Sequence, residues 1–320
     1  MSEQCAALAA AVVDADDPIV RYKAHRYLDG ADSTSAAMQR LRGDIAGSPI
    51  ARGLLADLEA SDPTDRHGMS TIYLTFRYLA DIDYPPGDDR LVPYRDHVYR
   101  WLRRQERGYD GPLFIRGTHR VHASFHANAI YASVVLGLAD DDTDDLCANL
   151  LRYQWPGGGW NCNKKPATKG PTIVHTAFGL RGLATYRERR TTDELTAAID
   201  AAAEVLLARR VYLKRSTGQP LRPVYTKLSY PYPRLYDAMA GLHILTRAGY
   251  VRDERCGDAL ALLESKFLPA EGWAIERRLF THTAGKDDFT HAPWEKASRG
   301  RANLLLTVDA LEILRAAGRW

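Results

Sequence analysis

Two kinds of helical segment alternate along this chain, and the alternation restricts its fold more than any other feature. One kind carries small and apolar residues on nearly every face: "STIYLTFRYLADI" from Ser70, "ASFHANAIYASVVLGL" from Ala123, "IVHTAFGLRGLATY" from Ile173, "RLYDAMAGLHILTRAG" from Arg234 and "ANLLLTVDALEILRAAG" from Ala302. The other kind is amphipathic with charged faces: "RDHVYRWLRRQER", "DDLCANLLRYQ", "DELTAAIDAAAEVLLARR" and "CGDALALLESKF". A helix that is apolar all round has to be surrounded by protein, whereas a helix with one apolar stripe can stand outside it. Few stretches show the period of a strand. The leucines that close the apolar segments, Leu79, Leu138, Leu183, Leu245 and Leu314, recur roughly every 60 residues, as expected of helical-hairpin repeats. "IVRYKAHRYL" from Ile19 offers a further inner helix. The pattern predicts an all-α chain, read as an (α/α) toroid of five to six helical hairpins that fills residues 1–320 as a single domain. An open solenoid shares these cues. The toroid is preferred because the loops ahead of the apolar helices are long and chemically rich, as if gathered at one mouth.

Composition removes several function classes. A chain of 320 residues with 45% apolar content can bury a large core. Its 43 basic and 40 acidic residues nearly balance, and no basic stripe is interleaved with aromatics, so no nucleic-acid partner is expected. Cys5, Cys147, Cys162 and Cys256 lack metal-finger spacing and suit a reducing cytoplasm. "CAALAAAVV" follows Glu3 and runs into "DADD", which reads as a helix start and not as a leader peptide. Nothing approaches the ~18 consecutive apolar residues of a membrane span. The expectation is a soluble, cytoplasmic protein.

The stretch "QWPGGGW" follows the amphipathic segment ending "LLRYQ" and places Gln154, Gly158 and Trp160 in the pattern Q-x-x-x-G-x-W. Two echoes flank it. "WLRRQERGYDGPL" has Gln105 and Gly111 with Leu113 in the tryptophan place, and "LLESKFLPAEGW" keeps Gly272 and Trp273 without the glutamine. The glutamine can satisfy backbone groups at a helix end, the glycines permit a tight turn, and the indole can pack beneath the next repeat. These three residues are therefore expected to be structural. The pattern, spanning residues 101–273, resembles the QW signature of the terpenoid-cyclase and protein-prenyltransferase superfamily. That resemblance implies the toroid. It also implies an enzyme acting on a small molecule, an isoprenoid (terpenoid or prenyl-type) substrate with a polar or anionic head. A carbohydrate-active toroid enzyme and a non-catalytic binding or scaffold protein are the alternatives.

The family's protonating cyclases supply their acid from a D-x-D-D motif. Asp142-Thr143-Asp144-Asp145 matches it by letter, but lies in the acidic linker that opens an amphipathic helix, where carboxylates serve the helix dipole. Where the family's aspartates would fall stands "VHASFHANA", with His122 and His126 four residues apart and so on one helical face. Imidazolium is too weak an acid to protonate an isolated alkene, so a typical protonating cyclase is not expected. "VHTAFGLRGL" from Val174 resembles the segment carrying the zinc-bound histidine of protein prenyltransferase β-subunits, with His175 in the matching place. The Asp-x-Cys pair that completes that family's site is absent, and the candidate thiol is Cys162 on the loop after Trp160. His122, His126, Cys162 and His175 are the catalytic candidates. Cys162, His175 and His126 are the candidate metal set, with zinc the ion that nitrogen and sulfur ligands suit. The plainer reading has these histidines bonding helix ends and the cysteine filling space. Arg120, Lys164, Lys165, Tyr232, Arg234, Arg299 and Arg301 precede the apolar helices and are the candidates for holding the substrate's head.

Overall fold

The apolar segments become helices where a short polar side chain opens them. Asp17, Thr172, Asp237 and Asn303 each occupy an extended N-cap position and accept a backbone N–H of the first turn. The computed structural model describes residues 1–61, 69–107, 112–232, 236–277, 279–280, 290–298 and 300–320, without the side chains of 69–70 and 105–107. In chain order the helices are α1 (Ser2–Val13), α2 (Pro18–Lys23), α3 (Ala36–Asp44), α4 (Pro49–Glu59), α5 (Met69–Asp81) and α6 (Val92–Arg107). A hairpin of β1 (Leu113–Ile115) and β2 (Thr118–Arg120) follows. Then come α7 (Ala123–Val135), α8 (Asp141–Arg152), α9 (Ile173–Tyr186), α10 (Asp193–Leu207), α11 (Ala238–Ala248), α12 (Gly257–Ser265) and α13 (Leu304–Ala316). The chain is thus mostly helical, and no described helix is long and apolar enough to cross a membrane.

The helices sort into two compact units. One comprises Met1–Asp57, Asp81–Pro85 and Arg210–Trp320, the other Leu58–Ala80 and Pro86–Arg209. In the second unit α7 lies along α9, with α8 packed on α7 and α10 on α9. Helix α9 is buried over nearly its whole length, as its uniformly apolar sequence requires. Gly182 lets the two inner helices close up: a Cβ there would stand 2.6 Å from the Ala127 carbonyl oxygen.

The turn after α8 is built around Trp160, which is wholly buried. Its Nε1 donates to the Leu150 carbonyl at 2.9 Å, and its own carbonyl accepts from Thr172 N at 2.9 Å. Its backbone N donates to Thr176 Oγ1 at 3.4 Å. The first unit repeats the arrangement after α12. Trp273 is wholly buried, its Nε1 donates to the Leu263 carbonyl at 2.8 Å, and its N donates to Thr307 Oγ1 at 3.1 Å. Its carbonyl accepts from Asn303 N, the cap of α13, at 2.8 Å. Gln154 donates its side-chain amide to Ala198 O of α10 at 2.8 Å, so it ties the turn to a following helix. Gly158 has φ +94°, and a Cβ there would collide with the Ala201 carbonyl. The remaining echo is not repeated in this form: Leu113 is an exposed strand residue, while Gly111 and the Gln105 side chain lie outside the described residues.

Two local expectations change. The hairpin was not read from the sequence, although "LFI-RG-THR" carries its turn. Arg116 and Gly117 have φ of 50° and 77°, the backbone that a two-residue type I′ loop demands. The segment starting at Arg234 becomes helical only at Ala238, because Asp237 is spent on the cap; residues 233–235 lie outside the described ones.

Two outcomes test this account. Trp160→Ala and Trp273→Ala should each cost about 3–5 kcal/mol in denaturant unfolding, the range for deleting a large core aromatic; an unmoved midpoint would refute the anchoring role. Asp237 is wholly buried, and burial lifts its carboxyl to about 6 against the pull of Ser229, the backbone N–H groups of Ala240 and Met239, and Arg277. A raised carboxyl favours the fold below its ordinary value near 4 and loses that benefit as pH climbs through 6. Asp237→Asn keeps the capping oxygen without the titration. Melts at pH 4 and 7 should show the variant gaining about 1–3 kcal/mol over the parent at the higher pH only.

Candidate functional site

Three segments of the second unit meet where α7 and α9 begin. His122 is the N-cap residue of α7, and His175 lies in the first turn of α9, its N–H held by the Thr172 cap. Between them runs the loop from Trp160, which carries Cys162. Asn161 fixes that loop: its carbonyl accepts from Val121 N at 3.1 Å, and its Nδ2 donates to Gly170 O at 2.6 Å. Its Oδ1 accepts from Asn163 N at 2.8 Å, and Asn163 Oδ1 in turn accepts from Lys165 N at 2.9 Å. The loop is therefore stapled to the start of α7 on one side and to its own return on the other.

The donor atoms of His122, Cys162 and His175 all lie within 4.8 Å of one another. The two imidazole rings stand 5.5 Å apart and nearly perpendicular. His122 is exposed, Cys162 half-buried and His175 buried, so the group opens to solvent along one side only. His175 Nδ1 is 3.0 Å from Ser124 Oγ and 3.4 Å from Ser124 N. Burial, helped by His122, pushes the His175 imidazole down to about 4. Burial, then Lys164 and His126, lower His122 as well. Burial raises the Cys162 thiol, although its backbone hydrogen bond and Lys164 oppose the shift. At neutral pH both imidazoles are thus uncharged and able to ligate, and the thiol ionises when a cation takes its proton's place.

Two nitrogens and one sulfur form a donor set suited to zinc, with room for a fourth ligand from solvent or substrate. Zinc–ligand bonds of about 2.0–2.3 Å place tetrahedral donors about 3.4–3.6 Å apart. The separations, 4.8 Å at most, need to close by no more than about 1.4 Å, within reach of side-chain rotation. The structure groups His122, and not His126, with Cys162 and His175. His126 lies one turn further into α7, buried and edge-on to Tyr153 at 6.4 Å.

The remaining candidates fall in several places. Lys164 and Lys165 are exposed on the Cys162 loop. Arg120 is buried at the end of β2, with its guanidinium 4.3 Å over the Trp155 ring. In the first unit Tyr232 is buried and donates to Asp309 Oδ2 at 2.9 Å, while Arg301 is exposed ahead of α13. Arg234 and Arg299 lie outside the described residues. Asp142 and Asp144 of the D-x-D-D match, and Asp140 just before it, make structural contacts. Asp140 caps α8 in a capping box with Thr143, and Asp142 pairs with Arg103. Asp144 accepts from Tyr186 and from Arg189 at 2.9 Å each. Burial alone would raise Asp144, but these bonds and the Arg189 and Arg190 charges hold it below the usual range, the reverse of what a proton donor needs.

A second cluster, His243, Asp309 and Glu312, also brings donor atoms within 4.8 Å in the first unit. Its charges are already matched. Lys23 reaches Asp309 at 2.7 Å and Arg247 reaches Glu312 at 2.6 Å, so a cation would have to displace two protein cations. This is a buried ion network, and it gives Tyr232 a structural partner. Sequence reasoning missed it, along with Ser124 and Trp155, because these contacts join residues far apart in the chain.

No protein-family model, curated protein or solved structure matches this chain.

Proposed function

We propose that the chain is a small-molecule enzyme whose centre is a metal site made by His122, Cys162 and His175. The observation that carries this reading is the convergence, within 4.8 Å, of two neutral imidazoles and a thiol from three separate segments. The scaffold is read as an (α/α) toroid akin to the terpenoid-cyclase and protein-prenyltransferase superfamily. The pairing of buried α7 and α9 with outer α8 and α10, and the tryptophan turn built twice, support that reading. The substrate class it favours is a terpenoid or prenyl-type molecule with a polar or anionic head.

A zinc ion in this set would act as a Lewis acid on an oxygen of the head or on water. The chain's own residues do the rest. Ser124 N–H donates to His175 Nδ1 at 3.4 Å and Ser124 Oγ lies 3.0 Å from the same nitrogen, so Ser124 fixes the orientation of the ring. His122, as the exposed member, borders the side from which a substrate arrives. Lys164 and Lys165 face solvent on the same loop and can draw in an anionic head. His126 lies one turn behind and lines the wall towards Tyr153.

Metal analysis by native mass spectrometry should find one zinc per chain after reconstitution. His122→Ala, Cys162→Ser and His175→Ala should each lower zinc affinity tenfold or more, and His126→Ala should not. Cobalt substitution should give a thiolate-to-cobalt absorption band that Cys162→Ser removes. A parent that binds no zinc, or triad variants that bind it equally well, would refute the metal centre. Separately, Lys164→Ala with Lys165→Ala should weaken pyrophosphate binding and flatten its salt dependence, since exposed charges act through a screened field. Titration at two ionic strengths measures both.

A further inference from the structure

Arg120 is a buried cation with no acidic partner among the described residues. It is 6% exposed, and its Nε and Nη1 are sealed from solvent and donate to nothing. No Asp or Glu among the described residues pairs with it. In the first unit the buried Lys23 rests on Asp309, and even the partly exposed Arg247 has Glu312 beside it. What Arg120 has is an aromatic face: its guanidinium lies 4.3 Å above Trp155, whose Nε1 is fixed to the His119 carbonyl at 2.7 Å. Stacking on an indole returns only part of the cost of burying a charge. Its chain neighbours His119 and His122 also feel positive charge. Burial and then Arg152 push the His119 imidazole down, and Lys164 helps do the same to His122.

The backbone there is built to hold this arrangement. Arg120 pairs with Leu113 across the hairpin and bridges to Asn161, the residue that staples the Cys162 loop. The hairpin, the Trp155 ring and Asn161 together hold a guanidinium that no acidic side chain among the described residues neutralises. Arginine's planar fork matches carboxylate and phosphoryl oxygens two at a time. Each bidentate edge of the fork pairs Nη2 with one of the two nitrogens that have no acceptor. We infer that Arg120, stacked on Trp155, is the anchor for an oxyanion group, carboxylate or phosphoryl, of a bound small molecule. Only Val121 separates Arg120 from His122, which sets this anchor beside the triad. The inference rests on the function proposed above only in treating that anion as the substrate's head; the anion site itself does not need the metal.

The test uses the full chain stripped of metal with a chelator. Thermal melts and calorimetry are run against inorganic phosphate, pyrophosphate and acetate, with ionic strength matched by chloride. The parent should bind and be stabilised by at least one oxyanion, and the response to phosphate against acetate tells phosphoryl from carboxylate. Arg120→Met keeps the stem and removes the charge. It should bind at least tenfold more weakly, yet melt no lower than the parent in anion-free buffer. Arg120→Lys keeps the charge without the fork and should also lose binding. Cys162→Ser should bind the anion as the parent does, so loss of the metal site and loss of the anion site are read apart. The inference is overturned if no oxyanion binds the parent, if Arg120→Met binds within twofold of it, or if Arg120→Met melts clearly lower without anion.

Discussion

The hydrogen bond from Trp160 Nε1 to the Leu150 carbonyl is the joint on which the second unit's candidate site depends. It ties a wholly buried indole to the last turn of α8, while the same residue's carbonyl holds the cap of α9. One residue therefore sets both where the outer helix stops and where the inner helix starts. Gly179 faces the indole so closely that any Cβ there would clash, so the ring and α9 are in register to within an atom. Cys162 lies two residues after Trp160, and His175 lies in the turn that Thr172 caps. A shift of the indole would move both donors at once. Trp273 performs the same mechanical task in the first unit, where the helix it launches, α13, carries Asp309 and Glu312 of the ion network.

Much of this was legible in the sequence because it is local. Helical periodicity located the apolar segment "IVHTAFGLRGLATY", which is α9 from first residue to last. The spacing of Gln154, Gly158 and Trp160 pointed to a built turn, and there Gln154 bonds Ala198 O, Gly158 abuts the Ala201 carbonyl and Trp160 bonds Leu150 O. His122, Cys162 and His175 were each legible as residues that carry chemistry. Their grouping was not: His122 and His126 share a helical face, and the sequence reading put His126 in the metal set where the structure places His122. The geometry separates them: His122 stands at the cap, where the chain turns toward the Cys162 loop, and His126 points along the helix to Tyr153. The hairpin's I′ turn was written in Arg116-Gly117, yet three-residue strands leave too short a period to detect.

Burial of charge divides the two units more sharply than their helices do. In the first, Lys23, Arg247, Asp309 and Glu312 neutralise one another, and Tyr27 and Tyr232 add hydrogen bonds and ring contacts. Breaking such a pair leaves a bare charge at a cost of about 3–5 kcal/mol, so the network favours one arrangement over its neighbours. In the second unit Arg120 carries a cost of that kind in the resting protein, offset by a cation–π contact worth about 0.5–2 kcal/mol. Natural chains tolerate that imbalance where a ligand will relieve it.

The two proposed occupants of the second unit would then act on each other. Arg120 and Lys164 give the region a positive field while His122 and His175 are held neutral. A divalent ion entering the triad adds to that field and is only partly offset by the Cys162 thiolate it creates. An oxyanion on Arg120 lowers the work of bringing the ion in, and the ion raises the affinity for the oxyanion by the same factor. Neither occupant is required for the other, since the guanidinium rests on Trp155 and the triad on the Trp160 turn. What joins them is the Asn161 staple, which sets the strand bearing Arg120 and the loop bearing Cys162 side by side. A head group held there would present its polar end to the triad, leaving the apolar remainder of the molecule to the walls.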